Sequence, residues 1–281
     1  MNNKLILITG GSSGIGKAAA IELHKLGAKI IIQARGIEKL KLAAKEIDSS
    51  GNRISYYATD LTDQKSVEST AKTIVENEGI PDVVVNSAGA GEWLSFKEAT
   101  VSHFKESMES PYLATALTCK VFYDKMQKRG TGHFIIINSA AGYFAFPGAT
   151  GYTPARWAML GFSRSLQADL HHSNFEVSMI AFGKVESPYF ENNPRSEERI
   201  PKIANWLIST MSLEATGKVI AKTVKNKKRI VNKPFMLDVL VFFNRFLPGI
   251  HLFLSPCQNP PNRPEEDKIQ YQEKSWHSDY P

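Results

Sequence analysis

The chain opens on Leu5-Ile6-Leu7-Ile8-Thr9-Gly10-Gly11-Ser12-Ser13-Gly14-Ile15-Gly16. Four consecutive apolar residues and a Thr make a strand with no polar face, as expected inside a sheet covered on both sides. Three glycines follow at 10, 14 and 16, and from Ile15 the apolar residues recur with helical spacing. Glycine there permits a tight turn, close approach of backbone to a ligand, and close packing of helix on strand. The first turn of the helix then presents unpaired N–H groups and a partial positive charge, which suit phosphate. A glycine triple alone is only a flexible turn. Between a buried strand and a helix it predicts a cradle for a dinucleotide pyrophosphate.

Outward from this segment, apolar strand-like runs alternate with helix-length periodic segments. The pattern predicts strands over 5–9, 29–34, 54–59, 83–86, 133–138 and 176–181, and helices over 15–26, 37–47, 63–78, 103–128 and 151–171. The repeated βαβ order with right-handed crossovers gives an α/β fold: a doubly wound parallel sheet, Rossmann-like, in three αβα layers, with ligands at the carboxyl ends of the strands. The predicted organisation is one dinucleotide-binding and catalytic domain over 1–234, an apolar Phe-rich segment over 235–255, and an irregular tail over 256–281. That tail holds five of the 14 prolines.

The length of 281 residues suits one large domain. Hydrophobic residues at 42% and charged ones at 22% exclude a disordered or collagen-like chain. Cys119 and Cys257 are the only cysteines, far apart and without a neighbouring His cluster, so neither a disulfide framework nor a metal site is expected, and a reducing compartment fits. The stretch before Thr9 is too short for a secretory h-region, so a cytoplasmic setting is expected. Net charge is +6. Seven basic residues between Lys218 and Lys233 abut the apolar segment and lack stacking aromatics, which argues against nucleic acid.

Candidate site residues fall at strand ends. The second strand closes on Gln33-Ala34-Arg35-Gly36, with no acid for a ribose hydroxyl. Arg35 instead suits charge-assisted bonds to a 2′-phosphate, which favours NADP over NAD; the alternative is a solvated residue opening the next helix. In Thr59-Asp60-Leu61, Asp60 either meets the adenine amino group or caps the helix from Asp63. Asn86-Ser87-Ala88-Gly89 closes the fourth strand. Ser139 follows the fifth, and Tyr152 opens a helix with Arg156 on the same face one turn later. A cation beside a phenol favours its ionised form, so Tyr152 can exchange a proton while a Ser hydroxyl holds a carbonyl oxygen.

These motifs together resemble the short-chain dehydrogenase/reductases: Thr9 to Gly16, Asn86 to Gly89, Ser139, and Tyr152 to Arg156, where the family has Tyr-x-x-x-Lys. The resemblance spans about residues 4–189. From Asn86 to Pro188, and in the apolar C-terminal segment, the chain is most similar to 3-ketodihydrosphingosine reductase-like, membrane-associated members. The resemblance implies that Ser139, Tyr152 and Arg156 are catalytic. It implies cofactor contacts from Thr9, Gly10, Ser12, Ser13, Gly14, Ile15, Gly16, Arg35, Asp60, Leu61, Asn86, Ala88, Gly89, Tyr152, Arg156, Val185 and Ser187. It also implies an NADP or NAD cofactor, a hydrophobic ketone or alcohol as substrate, and a homo-oligomer.

Two positions depart from the family pattern. Arg156 keeps the charge of the usual Lys but cannot release its proton, and Pro111 stands where the family has an Asn, kinking the long helix. The expected activity is therefore carbonyl reduction by NADPH, or the reverse oxidation, with a catalytically impaired dinucleotide-binding sensor or scaffold as the alternative.

From Phe235 to Leu254, 14 of 20 residues are apolar, but Asp238, Asn244, Arg245, His251 and Pro248-Gly249 interrupt the run. That argues against a spanning helix. Two readings stand: peripheral contact of 218–254 with an anionic membrane facing the cytoplasm, or a lid or dimer-contact helix over an apolar cleft.

Overall fold

The computed structural model describes residues 1–89, 91–193, 196–201 and 206–247. Seven parallel strands form one sheet in the order β3-β2-β1-β4-β5-β6-β7. They are β1 (Leu5–Thr9), β2 (Lys29–Ala34), β3 (Ile54–Ala58), β4 (Val83–Asn86), β5 (Gly132–Ser139), β6 (Phe175–Phe182) and β7 (Ile230–Lys233). The order reverses between β1 and β4, so a crevice opens at their carboxyl ends. Alternating side chains of these strands feed two cores. One joins Ile6, Ile8, Ile30 and Ile32 to α1 (Gly14–Lys25) and α2 (Ile37–Ile47). The other joins Leu7, Val84, Phe134 and Ile136 to α5 (Ala114–Met126) and α6 (Tyr152–Asp169). The predicted α/β sandwich is the observed fold.

The remaining helices are α3 (Gln64–Asn77), α4 (Val101–Met108), a short α7 (Tyr189–Asn192), α8 (Leu213–Asn226) and α9 (Phe235–Asn244). Two elements were not legible as such in the sequence, α8 and β7. The cation-rich run disguised both: Lys218, Lys222 and Lys225 lie on the exposed side of α8, while Ile220, Ala221 and Val224 are buried against the α1 layer. A Cβ on Gly217 would stand 2.5 Å from the Ala18 carbonyl, so only glycine lets α8 cross α1 this closely. Lys218 pairs with Glu214 and Lys227 with Glu176.

The basic run and the Phe-rich run, expected together as a contact over 218–254, fall on different elements. Along β6, Ile180 and Phe182 face the layer of α8, whereas Met179 and Ala181 face Leu237 of α9. The lysines of α8 and the phenylalanines of α9 therefore lie on opposite sides of the sheet. Asp238, which interrupts the apolar run, accepts a hydrogen bond from Asn232 Nδ2 at 2.8 Å. Pro248-Gly249, His251 and the tail over 256–281 lie outside the described residues. Among the described residues no helix is long and apolar enough to cross a membrane.

The helix expected over 103–128 is broken. Between α4 and α5, Glu109–Leu113 form one π-helical turn around Pro111. Proline lacks the N–H that a continuous helix needs, so the wider turn is where the ladder yields. The helix after β3 starts at Gln64, and its cap is Asp63, which accepts from Lys65 N and Ser66 N. Asp60 is thus not the cap; its carboxylate accepts instead from the Thr62 N–H and hydroxyl.

Candidate active site

The glycine turn holds its shape by exclusion. Gly10 has φ +67°, and a Cβ there would lie 2.9 Å from Ala88 N; a Cβ on Gly16 would collide with the Gly10 carbonyl. Thr9 Oγ1 accepts the N–H groups of both Ser87 and Ala88 at 3.1 Å, which fastens the end of β4 beside the turn. A cavity of about 330 Å³ opens here, bounded by the turn, by Ala88 and Gly89, by the end of β5, by the start of α6, and by residues 182–193. That volume lies in the range of small-molecule sites.

Ser139, at the end of β5, accepts from Ala141 N at 3.2 Å and so starts the short turn over 140–142. Tyr152, the first residue of α6, is 6% exposed and lines the same cavity. Arg156 follows one turn later, its guanidinium 4.9 Å from the centroid of the Tyr152 ring, within cation–π range. Its Nη2 donates to Gly89 O at 2.9 Å and its Nη1 to Ile137 O at 3.3 Å, while Nε is buried without a partner. Pro111 packs on Gly89, where an added Cβ would meet the Pro111 Cα at 3.1 Å. The two positions that depart from the family pattern thus meet at one glycine: Pro111 supports the carbonyl that holds Arg156.

Of the predicted residues, Gly10, Ser13, Gly14, Ile15, Gly16, Ala88, Gly89, Ser139, Tyr152, Arg156, Val185 and Ser187 line this cavity. Arg35 and Asp60 stand exposed at the ends of β2 and β3. Hydrogen bonds from the Thr62 hydroxyl and N–H hold the Asp60 carboxyl below the usual carboxylate range, with the Arg35 charge adding to the effect. Three other predicted residues have their side chains engaged elsewhere. Asn86 turns its side chain into the sheet, where Nδ2 donates to Ile135 O and to Cys119 Sγ. Leu61 is buried in a small apolar cluster with Val67 and Ala114. Thr9 acts through Ser87 and Ala88 instead of lining the cavity.

Several lining residues were missed in the sequence. Tyr189 donates to Gly91 O at 2.8 Å and accepts from Trp93 Nε1 at 2.9 Å. Its ring lies 6.1 Å from that of Tyr152, and Trp93 lies 5.6 Å from both Tyr152 and Phe146. Burial first, and then the Tyr152 and Arg156 charges acting in opposite directions, leave the Tyr189 phenol raised well above its ordinary value. Asn138 bridges strand and helix, accepting from Ser139 N at 2.9 Å and donating to Arg156 O at 3.1 Å. The signal was faint: an aromatic pair, Tyr189-Phe190, directly after Ser187-Pro188, and a Trp four residues beyond Gly89.

A glycine turn under the first strand of a doubly wound sheet, joined to a Ser and a Tyr at the ends of two later elements, defines a class of dinucleotide-dependent oxidoreductases. Residues 4–198 match the family model described as short chain dehydrogenase, and the chain belongs to that family. It is 30% identical over 227 residues to 3-dehydrosphinganine reductase of Danio rerio, covering 79% of this chain and 68% of that one. It is 29% identical over 222 residues to 3-ketodihydrosphingosine reductase of Bos taurus, covering 77% of this chain and 67% of that one. The fold matches an alcohol dehydrogenase from the archaeon Thermococcus sibiricus complexed with 5-hydroxy-NADP, with TM-score 0.71 and 24% identity over 82% of this chain and 95% of that one. The protein is therefore a short-chain oxidoreductase.

Proposed function

We propose that this protein reduces the carbonyl of a hydrophobic, lipid-like ketone with NADPH, or runs the reverse oxidation, with Tyr152 as the proton donor. The observation that carries this reading is the placement of Ser139 and Tyr152 on one cavity with the Gly10–Gly16 turn. The site fits a dinucleotide: glycines whose Cβ atoms would fill the turn, a helix N-terminus, and the orphaned Arg156 Nε. Gly14, Ile15 and Gly16, with Ser187, would hold the pyrophosphate, Arg35 a 2′-phosphate, and Val185 the nicotinamide end. When bound, the nicotinamide supplies the hydride for the carbonyl carbon.

The side chains do the rest. Ser139 donates a hydrogen bond to the carbonyl oxygen, and Tyr152 gives that oxygen its phenolic proton. The phenolate left behind faces the Arg156 guanidinium, which stabilises it without itself releasing a proton. Proton return then passes from water directly to Tyr152. The apolar walls, Trp93, Phe146, Tyr189 and Ile208 among them, favour a substrate of low polarity. Absorbance assays with hydrophobic ketones are expected to show NADPH consumption that Tyr152→Phe lowers by about 10²-fold or more, with cofactor binding kept; equal rates in the variant would reject the role of Tyr152.

A second reading, a dinucleotide-binding sensor or scaffold without turnover, is favoured by one observation: Arg156 spends both terminal nitrogens on backbone carbonyls. It predicts NADPH binding without consumption, and a large gain of activity in Arg156→Lys. Loss of activity in that variant means that the Arg belongs to a working site. The supporting feature for peripheral membrane contact is the outer side of α9, where Phe235, Phe242 and Phe243 are exposed. The inner side, through Leu237, packs beside Ile208 of the cavity wall. In this reading α9, beside the substrate site, is the element that meets a membrane facing the cytoplasm.

A further inference from the structure

Arg199 and Glu98 stand behind the cavity wall, and neither lines the cavity itself. Arg199 Nη2 donates to both carboxylate oxygens of Glu98 at 2.8 Å, while Nη1 donates to Trp93 O at 2.9 Å and to Gly148 O at 3.3 Å. One planar guanidinium thus meets four acceptors that lie 51 to 106 positions away in sequence. The ion pair is enclosed, its side chains 10% and 9% exposed. Burial opposes the Glu98 charge, but hydrogen bonds from Ser95 and Arg199 outweigh it and hold the carboxyl at about 2, so the pair stays ionised at neutral pH. Gly148 has φ +70°, and a Cβ there would collide with Cδ of Arg199.

Each segment joined here contributes to the apolar cluster around Tyr152. Trp93 packs on the Tyr152 ring, Ala149 precedes that residue in the same cluster, and Ile200, next to Arg199, packs on the cluster and lines the cavity. The first two segments are tied to each other directly, since the Thr150 hydroxyl donates to Leu94 O at 2.8 Å. The turn that carries Ile200 is fastened to its surroundings by two ion pairs. Lys184 with Glu197 is open to solvent on the Glu197 side, where such a pair contributes little. Arg199 with Glu98 is buried and two-pronged, the arrangement in which loss of one partner costs most.

We propose that Arg199, through Glu98, is a positioning residue for carbonyl reduction: it fixes Ile200 and Trp93 against Tyr152, so that the ketone meets Tyr152 and the nicotinamide in one orientation. The inference rests on the reading of this cavity as a carbonyl-reduction site. The clamp acts on the substrate side, away from the Gly10–Gly16 turn, so NADPH affinity is expected to stay unchanged when it is broken.

The test is reduction of a prochiral long-chain ketone by the full chain with NADPH, reading kcat/KM and the ratio of the two alcohol enantiomers. A loosened wall lets the ketone present either face, and small misplacements are costly: Arg199→Met is expected to lower kcat/KM by about tenfold or more and to lower the enantiomer ratio several-fold. Arg199→Lys keeps the charge without the planar fork and should fall between parent and Met variant. The double variant Arg199→Met with Glu98→Met leaves no unpaired buried charge, and it carries the test where the single variant does not fold. The product ratio does not depend on how much of the enzyme is folded, so a role in stability alone would leave it unmoved. An unchanged ratio in the Met variants, or a racemic alcohol from the parent, overturns the proposal. If the parent consumes no NADPH with any ketone, the carbonyl-reduction reading fails separately. Calorimetry of the same ketone on the NADPH-loaded protein then decides the clamp: weaker ketone binding in the Met variants supports it, and equal binding, or none to the parent, overturns it.

Discussion

Arg156 and Tyr189 both pack against the buried ring of Tyr152. Arg156 brings a permanent charge to the Tyr152 ring, and Tyr189 ties the backbone at Gly91 to the indole of Trp93, which also packs on that ring. Removing the Tyr189 hydroxyl leaves the Gly91 carbonyl and the Trp93 N–H without their partner, which costs about 1–3 kcal/mol for buried groups. Tyr189→Phe is expected to lower unfolding free energy by that amount in urea titration. It should also slow turnover, because the wall beside Tyr152 loses its fixed geometry. Unchanged stability would mean that water replaces the hydroxyl. Both residues belong to the three-dimensional site, yet only Arg156 was readable in advance, because its spacing from Tyr152 on one helix is a local property. The Trp93–Tyr189 contact joins positions 96 apart, and no spacing rule reaches that far.

At the scale of elements, β5 and β6 are joined by a buried polar pair, His133 Nε2 and Ser178 Oγ at 2.9 Å. Burial, with the Lys227 charge adding to it, lowers the His133 pKa from 6.5 to about 4. The folded state therefore holds this imidazole neutral, while the unfolded chain takes up a proton below about pH 6.5. Stability is full above that value and falls as pH drops towards 4, by about 3 kcal/mol for a shift of this size. His133→Gln should flatten this part of the pH–stability curve in thermal or urea unfolding; an unchanged slope would assign the acid sensitivity to other groups. The crossing of α1 and α8 gives a second element-scale expectation. Gly217→Val drives a side chain into the Ala18 carbonyl and should cost on the order of 1–3 kcal/mol, as overpacking does. An unfolding midpoint like that of the parent would show that the helices separate at little cost.

Across the whole molecule, the sheet separates the lysines of α8 from the phenylalanines of α9. The lysines of α8 lie on one side and the exposed Phe side chains of α9 on the other, so electrostatic and hydrophobic attraction to one membrane do not add as a continuous sequence run would suggest. The proposed lipid contact must then come chiefly from α9, with Phe235, Phe242, Phe243 and Phe246 exposed by 54–70%. Replacing Phe242, Phe243 and Phe246 with Ser is expected to abolish flotation with liposomes while leaving the fold intact, because these rings lie outside the core. Lys218→Glu and Lys222→Glu should leave flotation nearly unchanged. Retained flotation in the Ser variant would exclude α9 as the contact.

The sequence by itself determined the first six strands of the sheet, the glycine turn, and the pairing of Tyr152 with Arg156. All are set by local periodicity, by glycine's conformational freedom, or by helical spacing. It also placed the break at Pro111, since a missing N–H is a local fact, although the π-helical form of that break needed the neighbours on both sides. Tertiary structure decided the rest. It turned Asn86 inward, because a buried amide seeks partners wherever the adjacent strand offers them. It made α8 and β7 out of a run that looked like a charged surface, because Ile220, Ala221 and Val224 show their helical stripe only when a core lies beneath them. It brought Trp93, Tyr189 and Arg156 around one phenol, and among the described residues it lined that cavity with two cations and no acid. The charge of a pocket depends on which distant residues converge there, and sequence order does not carry that information.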